Sequence, residues 1–299
     1  MIKEIRSKTI LNHVKQPDTY FGLKYNMNLY RGCQHQCIYC DSRSECYRIG
    51  DFTQIQVKVN AIELLADALP RKQVRGTIGF GSMNDTYMPV EKKYTLTRQA
   101  LEIITHNEFP IHIITKSDLV TRDIDLIQEI SKVFAAISFT ITTADDALSR
   151  VIEPSAPPSS ARFAAMKAIA DAGIHTGITM MPILPFIEDT EKTITSLVEM
   201  AHEAGASYIL PAFGMTLRTG SREYYYDKLD ILFPDLKQKY IKQYGGRYEC
   251  SSPHWRKLDD VFQKMVYKYK IATRMPIFTP EKIVKGSKSR EKQDQLTLF

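Results

Sequence analysis

Short runs rich in β-branched and aromatic residues alternate along this chain with longer stretches whose apolar positions recur at helical spacing. This is the pattern of βαβ units feeding a parallel sheet. The runs predict strands at 24–29, 77–81, 111–115, 136–141, 174–181 and 208–212. The amphipathic stretches between them predict helices at 61–69, 96–106, 123–133, 160–172 and 193–204. Gly173 and Gly205 follow two of these helices as C-terminal caps, and each leads into a strand. After Arg218 the texture turns to Tyr-, Lys- and Asp-rich helical sequence broken by Pro234, Gly245, Gly246 and Pro253. The chain therefore divides into an N-terminal segment (1–22), an α/β core (23–220), a helical extension over one end of it (221–281) and a basic tail (282–299), charged and expected to be disordered as far as Asp294.

Composition narrows the class. With 299 residues, 43% hydrophobic and 25% charged, the chain suits a soluble globular protein able to bury a sizeable core. The first residues, MIKEIRSKTILNHVKQ, contain no apolar signal region, and no run approaches the length of a membrane helix, so a cytoplasmic protein without membrane attachment is expected. A net charge of +6 suits nucleic-acid binding and a merely solvated basic surface equally well. Five cysteines, an odd number, point to a reducing compartment and metal binding rather than to a disulfide framework.

Three of those cysteines, Cys33, Cys37 and Cys40, crowd into the run GCQHQCIYCD. Three thiolates do not complete a closed four-ligand zinc site, and no second pair follows at zinc spacing. A zinc site completed by His35 and a chance trio of structural thiols remain the plain alternatives. An iron-sulfur cubane held by three thiolates would leave one iron open to a ligand that is not protein.

Cys-x3-Cys-x2-Cys with Tyr39 before the last cysteine resembles the hallmark of radical S-adenosylmethionine (SAM) enzymes. The segments GSMNDTYMPVE, IITKSDLVTRD, ISFTITT, IEPSAPPSSARFAAMKAIADAGI and GITMMPILP resemble those of the spore photoproduct lyase-like branch, over roughly residues 24–218. The resemblance implies a partial (β/α)6 TIM-like barrel with a C-terminal helical extension, its chemistry at the C-terminal ends of the strands. It also implies a 4Fe-4S cluster on Cys33, Cys37 and Cys40 whose open iron chelates SAM. An electron from the cluster then cleaves SAM to a 5'-deoxyadenosyl radical that abstracts hydrogen from substrate.

Carried onto matching positions, the resemblance gives Lys116 to the SAM carboxylate, Thr140 to the same group, Asn84 to the amino group, and Met181, with Met180 and Pro182, to an apolar wall for adenine. Ordinary strand ends and buried core are the competing accounts of these residues. Glu153 and Arg162 are expected to form a buried ion pair fixing the loop over SAM. Asp85, Tyr87, Pro89 and Glu91 are expected to line the pocket. Ser82 marks a departure, standing near the place where the lyases carry a cysteine that returns a hydrogen atom to the product radical. Its O–H bond is too strong for that role. Cys46, Cys250, Tyr87 and the Tyr224, Tyr225, Tyr226 cluster are candidate radical relays, with inert thiols and buried tyrosines as the default.

The last five residues, Gln295 to Phe299 (QLTLF), resemble the bacterial sliding-clamp-binding motif on a flexible tether. The expected partners are nucleic acid, with DNA favoured, a sliding clamp, and a reductant such as flavodoxin or ferredoxin. The expected function is radical SAM chemistry on nucleic acid, a DNA lesion or modified base. The alternatives are modification of RNA or of a protein or peptide, and an iron-sulfur sensor without turnover.

Overall fold

The structure, a computed structural model, describes residues 2–16 and 18–283. Six parallel strands form its centre: β1 (Leu23–Met27), β2 (Thr77–Phe80), β3 (Ile111–Thr115), β4 (Ala135–Thr140), β5 (His175–Met180) and β6 (Tyr208–Pro211). They lie side by side in chain order, and Leu11–His13 adds a seventh, antiparallel strand at the β1 edge. Ile78, Phe80, Ile111, Ile113, Ile137, Phe139, Ile178, Met180 and Ile209 are buried, as strands covered on both faces require. The outer layer comprises α1 (Ala61–Ala68), α2 (Leu96–His106), α3 (Ile124–Ser131), α4 (Ser159–Asp171) and α5 (Glu191–Glu203). This is the expected partial barrel, with every strand within two residues of its predicted ends. Gly173 and Gly205 both take positive φ where α4 and α5 stop, as their cap role demands.

The helical extension departs from expectation. Of α6 (Ser221–Leu232), α7 (Leu236–Tyr244) and α8 (Trp255–Tyr269), the first two cover the cysteine loop, where Tyr225, Leu229 and Tyr240 join one apolar cluster with Cys37, Ile38 and Tyr39. The third instead runs along α5 and sends Leu258, Phe262 and Val266 into the barrel's main core. Its apolar stripe has a ready-made partner on the outer wall, so burial there wins over continuing the cap. Lys282, assigned to the tail, pairs with Val74 in a two-residue antiparallel ribbon (Glu281–Lys282), so the chain is ordered slightly further than its composition implies. The rest of the segment assigned to the tail, with the Gln295 to Phe299 motif, lies outside the described residues. No helix among the described residues is long and apolar enough to cross a membrane.

A polar cluster lies inside the barrel. His112 Nε2 sits 2.8 Å from Ser138 Oγ, which in turn meets the Tyr208 hydroxyl at 2.7 Å, and Phe21 stacks on the imidazole. Burial drives His112 down to about 3, so the folded protein holds the ring neutral. In the unfolded chain an ordinary histidine takes a proton near pH 6.5, so the unfolded state binds more protons between pH 6.5 and 3. Stability is complete above that upper limit and falls, by about 1.4 kcal/mol per unit, as the pH drops through the window. Between pH 7 and 5 this residue is expected to cost the wild type about 2 kcal/mol more than it costs His112→Gln. Urea unfolding of both proteins at the two pH values measures it; equal acid sensitivity would remove His112 as the cause.

Candidate active site

The cysteine loop leaves β1 and is anchored from several sides. Gly32 turns it at positive φ, where a side chain would press on the Phe52 and Gln54 carbonyls. Gln36 donates to the Cys33 carbonyl at 2.7 Å, and Arg43 holds the Gln36 side chain in place at 2.5 Å. From across the barrel, the Ile38 N–H donates to the Ile152 carbonyl at 2.9 Å and the Ser155 N–H to the His35 carbonyl at 3.2 Å. The segment after β4 thus clamps the loop.

Cys33, Cys37 and Cys40 line one cavity of about 150 Å³ with His35, Gly81, Ser82, Asn84, Asp85, Thr115, Lys116 and Thr140. All of these come from the cysteine loop and the C-terminal ends of β2, β3 and β4. Cys33 and Cys37 are buried, Cys40 is half-buried, and all three are free thiols. Among the described residues no three His, Cys, Asp or Glu side chains converge on a single point, so the loop offers separate thiols around a space. Burial pushes the Cys33 thiol up to about 12 and raises Cys37 as well. Metal binding at either would therefore have to displace its proton.

His35 is committed elsewhere, against the zinc alternative. Its Nδ1 lies 3.2 Å from the Ser155 carbonyl and its Nε2 3.1 Å from Asp85 Oδ2. Asp85 also accepts from the Thr115 hydroxyl at 2.7 Å and the Lys116 N–H at 2.6 Å, tying together the ends of β2 and β3. Burial alone would raise its carboxyl, but the imidazole and these donors hold it down to about 2. Gly81, at positive φ, packs so tightly on the Ile114 carbonyl that any Cβ would collide with it, which brings β2's end close to β3.

The predicted Glu153–Arg162 pair is present: both side chains are fully buried, with Arg162 Nη1 2.5 Å from Glu153 Oε2. Tyr39, between two of the cysteines, donates its hydroxyl to Glu153 Oε1. Lys116 Nζ lies 3.8 Å from the same oxygen and 5.6 Å from the Tyr39 ring centre. Burial opposes the charge on Lys116, yet its value is raised, by Cys37 once that thiol ionises and by the Glu153 carboxylate already, so it stays an ammonium. Asn84 spends its Nδ2 on the Tyr30 carbonyl at 2.7 Å, and Thr140 shares a hydrogen bond with Thr179 at 2.9 Å.

Three expectations change. Met181 does not line this cavity; it packs with the Tyr208, Leu210 and Met275 cluster inside the barrel. Tyr87 and Glu91 turn away into a structural network. The Tyr87 hydroxyl donates to Asp123 at 3.1 Å, and Arg122 bridges Glu91 at 2.8 Å and Asp123 at 2.7 Å. Of that run only Asp85 lines the cavity, while Glu91 finds its cation in Arg122, which also pairs with Asp123 beside Arg98. Tyr225 and Tyr240 bond to each other at 3.0 Å within the apolar cap. Ser82 is exposed beside the cavity and bonds to Asn26. Sequence reading missed Glu188, buried, accepting from the Thr142 hydroxyl at 2.7 Å and held well above the usual carboxylate range by burial. No spacing in the sequence singles it out.

Comparison with known proteins places these features in context. The sequence model of the radical SAM superfamily matches residues 27–201. An uncharacterized protein of Methanocaldococcus jannaschii is 36% identical over 196 residues, 64% of this chain and 71% of that protein. An uncharacterized protein of Mycobacterium tuberculosis is 29% identical over 279 residues, 90% of this chain and 81% of that one. Spore photoproduct lyase complexed with dinucleoside spore photoproduct superposes with a TM-score of 0.68 at 18% identity, covering 90% of this chain and 79% of the lyase. The radical SAM methyltransferase TsrM of Kitasatospora setae, with cobalamin and a 4Fe-4S cluster bound, gives 0.54 at 11% identity over 82% of this chain and 52% of its own. At these identities the likeness to solved structures is one of fold.

Proposed function

We propose, for a chain that belongs to the radical SAM superfamily and is therefore a radical SAM enzyme, that Cys33, Cys37 and Cys40 hold three irons of a 4Fe-4S cluster and that its substrate is nucleic acid, a DNA lesion or modified base. The observation that carries this reading is that the three thiols share one cavity with Asn84, Lys116 and Thr140 at the carboxyl ends of adjacent strands. The donor set fits the group: soft thiolate precursors for iron, and an ammonium for a carboxylate. When bound, the cluster supplies the electron that cleaves SAM to a 5'-deoxyadenosyl radical.

The chain's own residues position and insulate. Lys116 sits on the cavity wall, oriented by Glu153, and offers its ammonium to an anionic group. The Asn84 amide is held by Tyr30, which leaves its carbonyl oxygen as an acceptor for an ammonium group. Thr140 offers a hydroxyl from β4. The apolar cap from α6 and α7 keeps water from the Cys37 side of the loop. Ser82 provides no thiol at the cavity edge, so hydrogen return to a product radical falls to another group.

The nucleic-acid assignment draws support from the basic balance of the chain and from the fold it shares with a lyase complexed with dinucleoside spore photoproduct. The test is anaerobic: reconstituted protein, dithionite and SAM, with 5'-deoxyadenosine measured with and without ultraviolet-irradiated DNA. Formation of deoxyadenosine, stimulated several-fold by the DNA, is the expected result. Turnover that irradiated or otherwise modified DNA leaves unchanged would move the substrate to RNA or protein.

A further inference from the structure

Beside the cysteine cavity, and sharing Met83 and Asn84 with it, lies a second groove of about 400 Å³. It is bounded by a small sheet that sequence reading did not anticipate: Ile2–Ile5 runs parallel to Ile55–Lys58, which pairs antiparallel with Tyr30–Arg31. In Ile55–Lys58 the alternation is strict, with Ile55 and Val57 buried in the core and Gln56 and Lys58 on the opposite face. Arg31 stands opposite Gln56 in the register, so it shares that face with Lys58.

The charge of this groove is one-sided. Arg6, Lys8, Arg31 and Lys58 line it, and among the described residues no aspartate or glutamate does. Lys58 donates to the Asn28 carbonyl at 2.6 Å and Arg31 to the Arg48 carbonyl at 2.9 Å, so each cation meets a neutral partner. Among the described residues only Arg6 has a carboxylate near it, Glu63 at 3.7 Å in a solvated pair of small worth. Burial and the neighbouring Arg31 charge both make Lys58 harder to protonate, which an incoming anion would reverse. Tyr47, half-buried, supplies aromatic surface in the same groove.

A 400 Å³ groove is within the range of about 300–1,000 Å³ typical of ligand sites, and four cations in one groove beside a cavity match a repeating anion better than a single small one. We propose that this groove seats the phosphodiester backbone of a single nucleic-acid strand and brings one nucleotide past Met83 and Asn84 to the edge of the cysteine cavity. The inference rests on the nucleic-acid reading above and names the surface that reading needs. Unstacked single strands offer both the phosphate row and free base faces, which the groove's cations and Tyr47 match.

Fluorescence anisotropy with a labelled single-stranded dodecanucleotide, as DNA and as RNA of the same sequence, tests it across a salt series. Lys8→Gln/Lys58→Gln is expected to weaken binding about tenfold and to reduce the salt slope by about 1.4, two phosphate contacts at about 0.7 each. Lys264→Gln/Lys268→Gln removes the same charge from exposed positions on α8 and is expected to bind as wild type. Lys8 is exposed, so Lys8→Gln alone carries the same sign if the double variant fails to fold. If wild type binds and both double variants bind equally well or equally poorly, the groove is not the seat, while the nucleic-acid reading stands. If wild type binds neither strand, both fall.

Discussion

Replacing any one of Cys33, Cys37 or Cys40 by alanine is expected to abolish the visible absorbance of the reconstituted protein and to take 5'-deoxyadenosine formation below detection. The physical reason is ligand count. Three thiols line the cavity, His35 is engaged by Asp85 and Ser155, and no spare cysteine stands there to substitute. Two thiolates leave a second iron without a protein ligand, and the cluster is lost. The other cysteines supply the control. Cys46 is exposed and contacts Arg218, and Cys250 is buried in the apolar cap, so Cys46→Ala and Cys250→Ala are expected to keep full iron content. A Cys33, Cys37 or Cys40 variant that retained full iron would overturn the ligand assignment.

Glu153→Ala is expected to cost about 3–5 kcal/mol of folding stability, the range for removing one partner of a buried ion pair. Out of a typical total of about 5–15 kcal/mol, that is a large share. The carboxylate faces Arg162, Tyr39 and Lys116 with no access to water. Burial works against its charge, yet Arg162 and Lys116 pull its carboxyl below the usual range, so it is ionised in the fold. Removing it strands a buried guanidinium, whose remaining bonds to the Pro157 and Thr140 carbonyls at 2.7 and 3.0 Å place the loss toward the lower end. Glu153→Gln, which keeps the shape and one acceptor, is expected to lose less. The folded carboxyl lies below its unfolded value, so the pair's contribution is present above the unfolded value and fades as pH falls through the folded one. Urea unfolding of the iron-free protein measures these differences. A Glu153→Ala midpoint unchanged from wild type would mean that the pair stabilises nothing.

The same substitution reaches the site. Tyr39 lies between Cys37 and Cys40 and loses its anchor, and Lys116 loses the carboxylate that orients it. The ion pair is therefore a positioning device for the cavity as well as a support for the fold.

Much of this was legible in the chain itself. The six strands were readable because parallel strands buried on both faces stand out as dense apolar runs, and α2 was readable because its apolar stripe is unbroken. Boundaries slipped where a turn shares helical composition: Asp118–Asp123 forms a tight turn of its own, so α3 begins at Ile124 rather than one residue earlier. The small sheet of Ile2–Ile5, Tyr30–Arg31 and Ile55–Lys58 was missed because each strand is too short to carry a pattern and its partners lie tens of residues away. The antiparallel pair of Gly214–Thr216 and Glu249–Ser251 escaped for the same reason.

Local order along the chain determined the β/α series, the caps at Gly173 and Gly205, and the trio of cysteines with its uneven spacing, because periodicity, turn preference and ligand count are properties of neighbouring residues. Only the tertiary structure decided which strand-end residues meet those cysteines. It turned Asp85 into the cavity and Tyr87 and Glu91 out of it, withdrew Met181 to the barrel interior, and set Glu153 against Tyr39 across a separation of 114 residues. Those outcomes depend on where buried charges find partners. Such partners come from distant segments, so no local pattern records them.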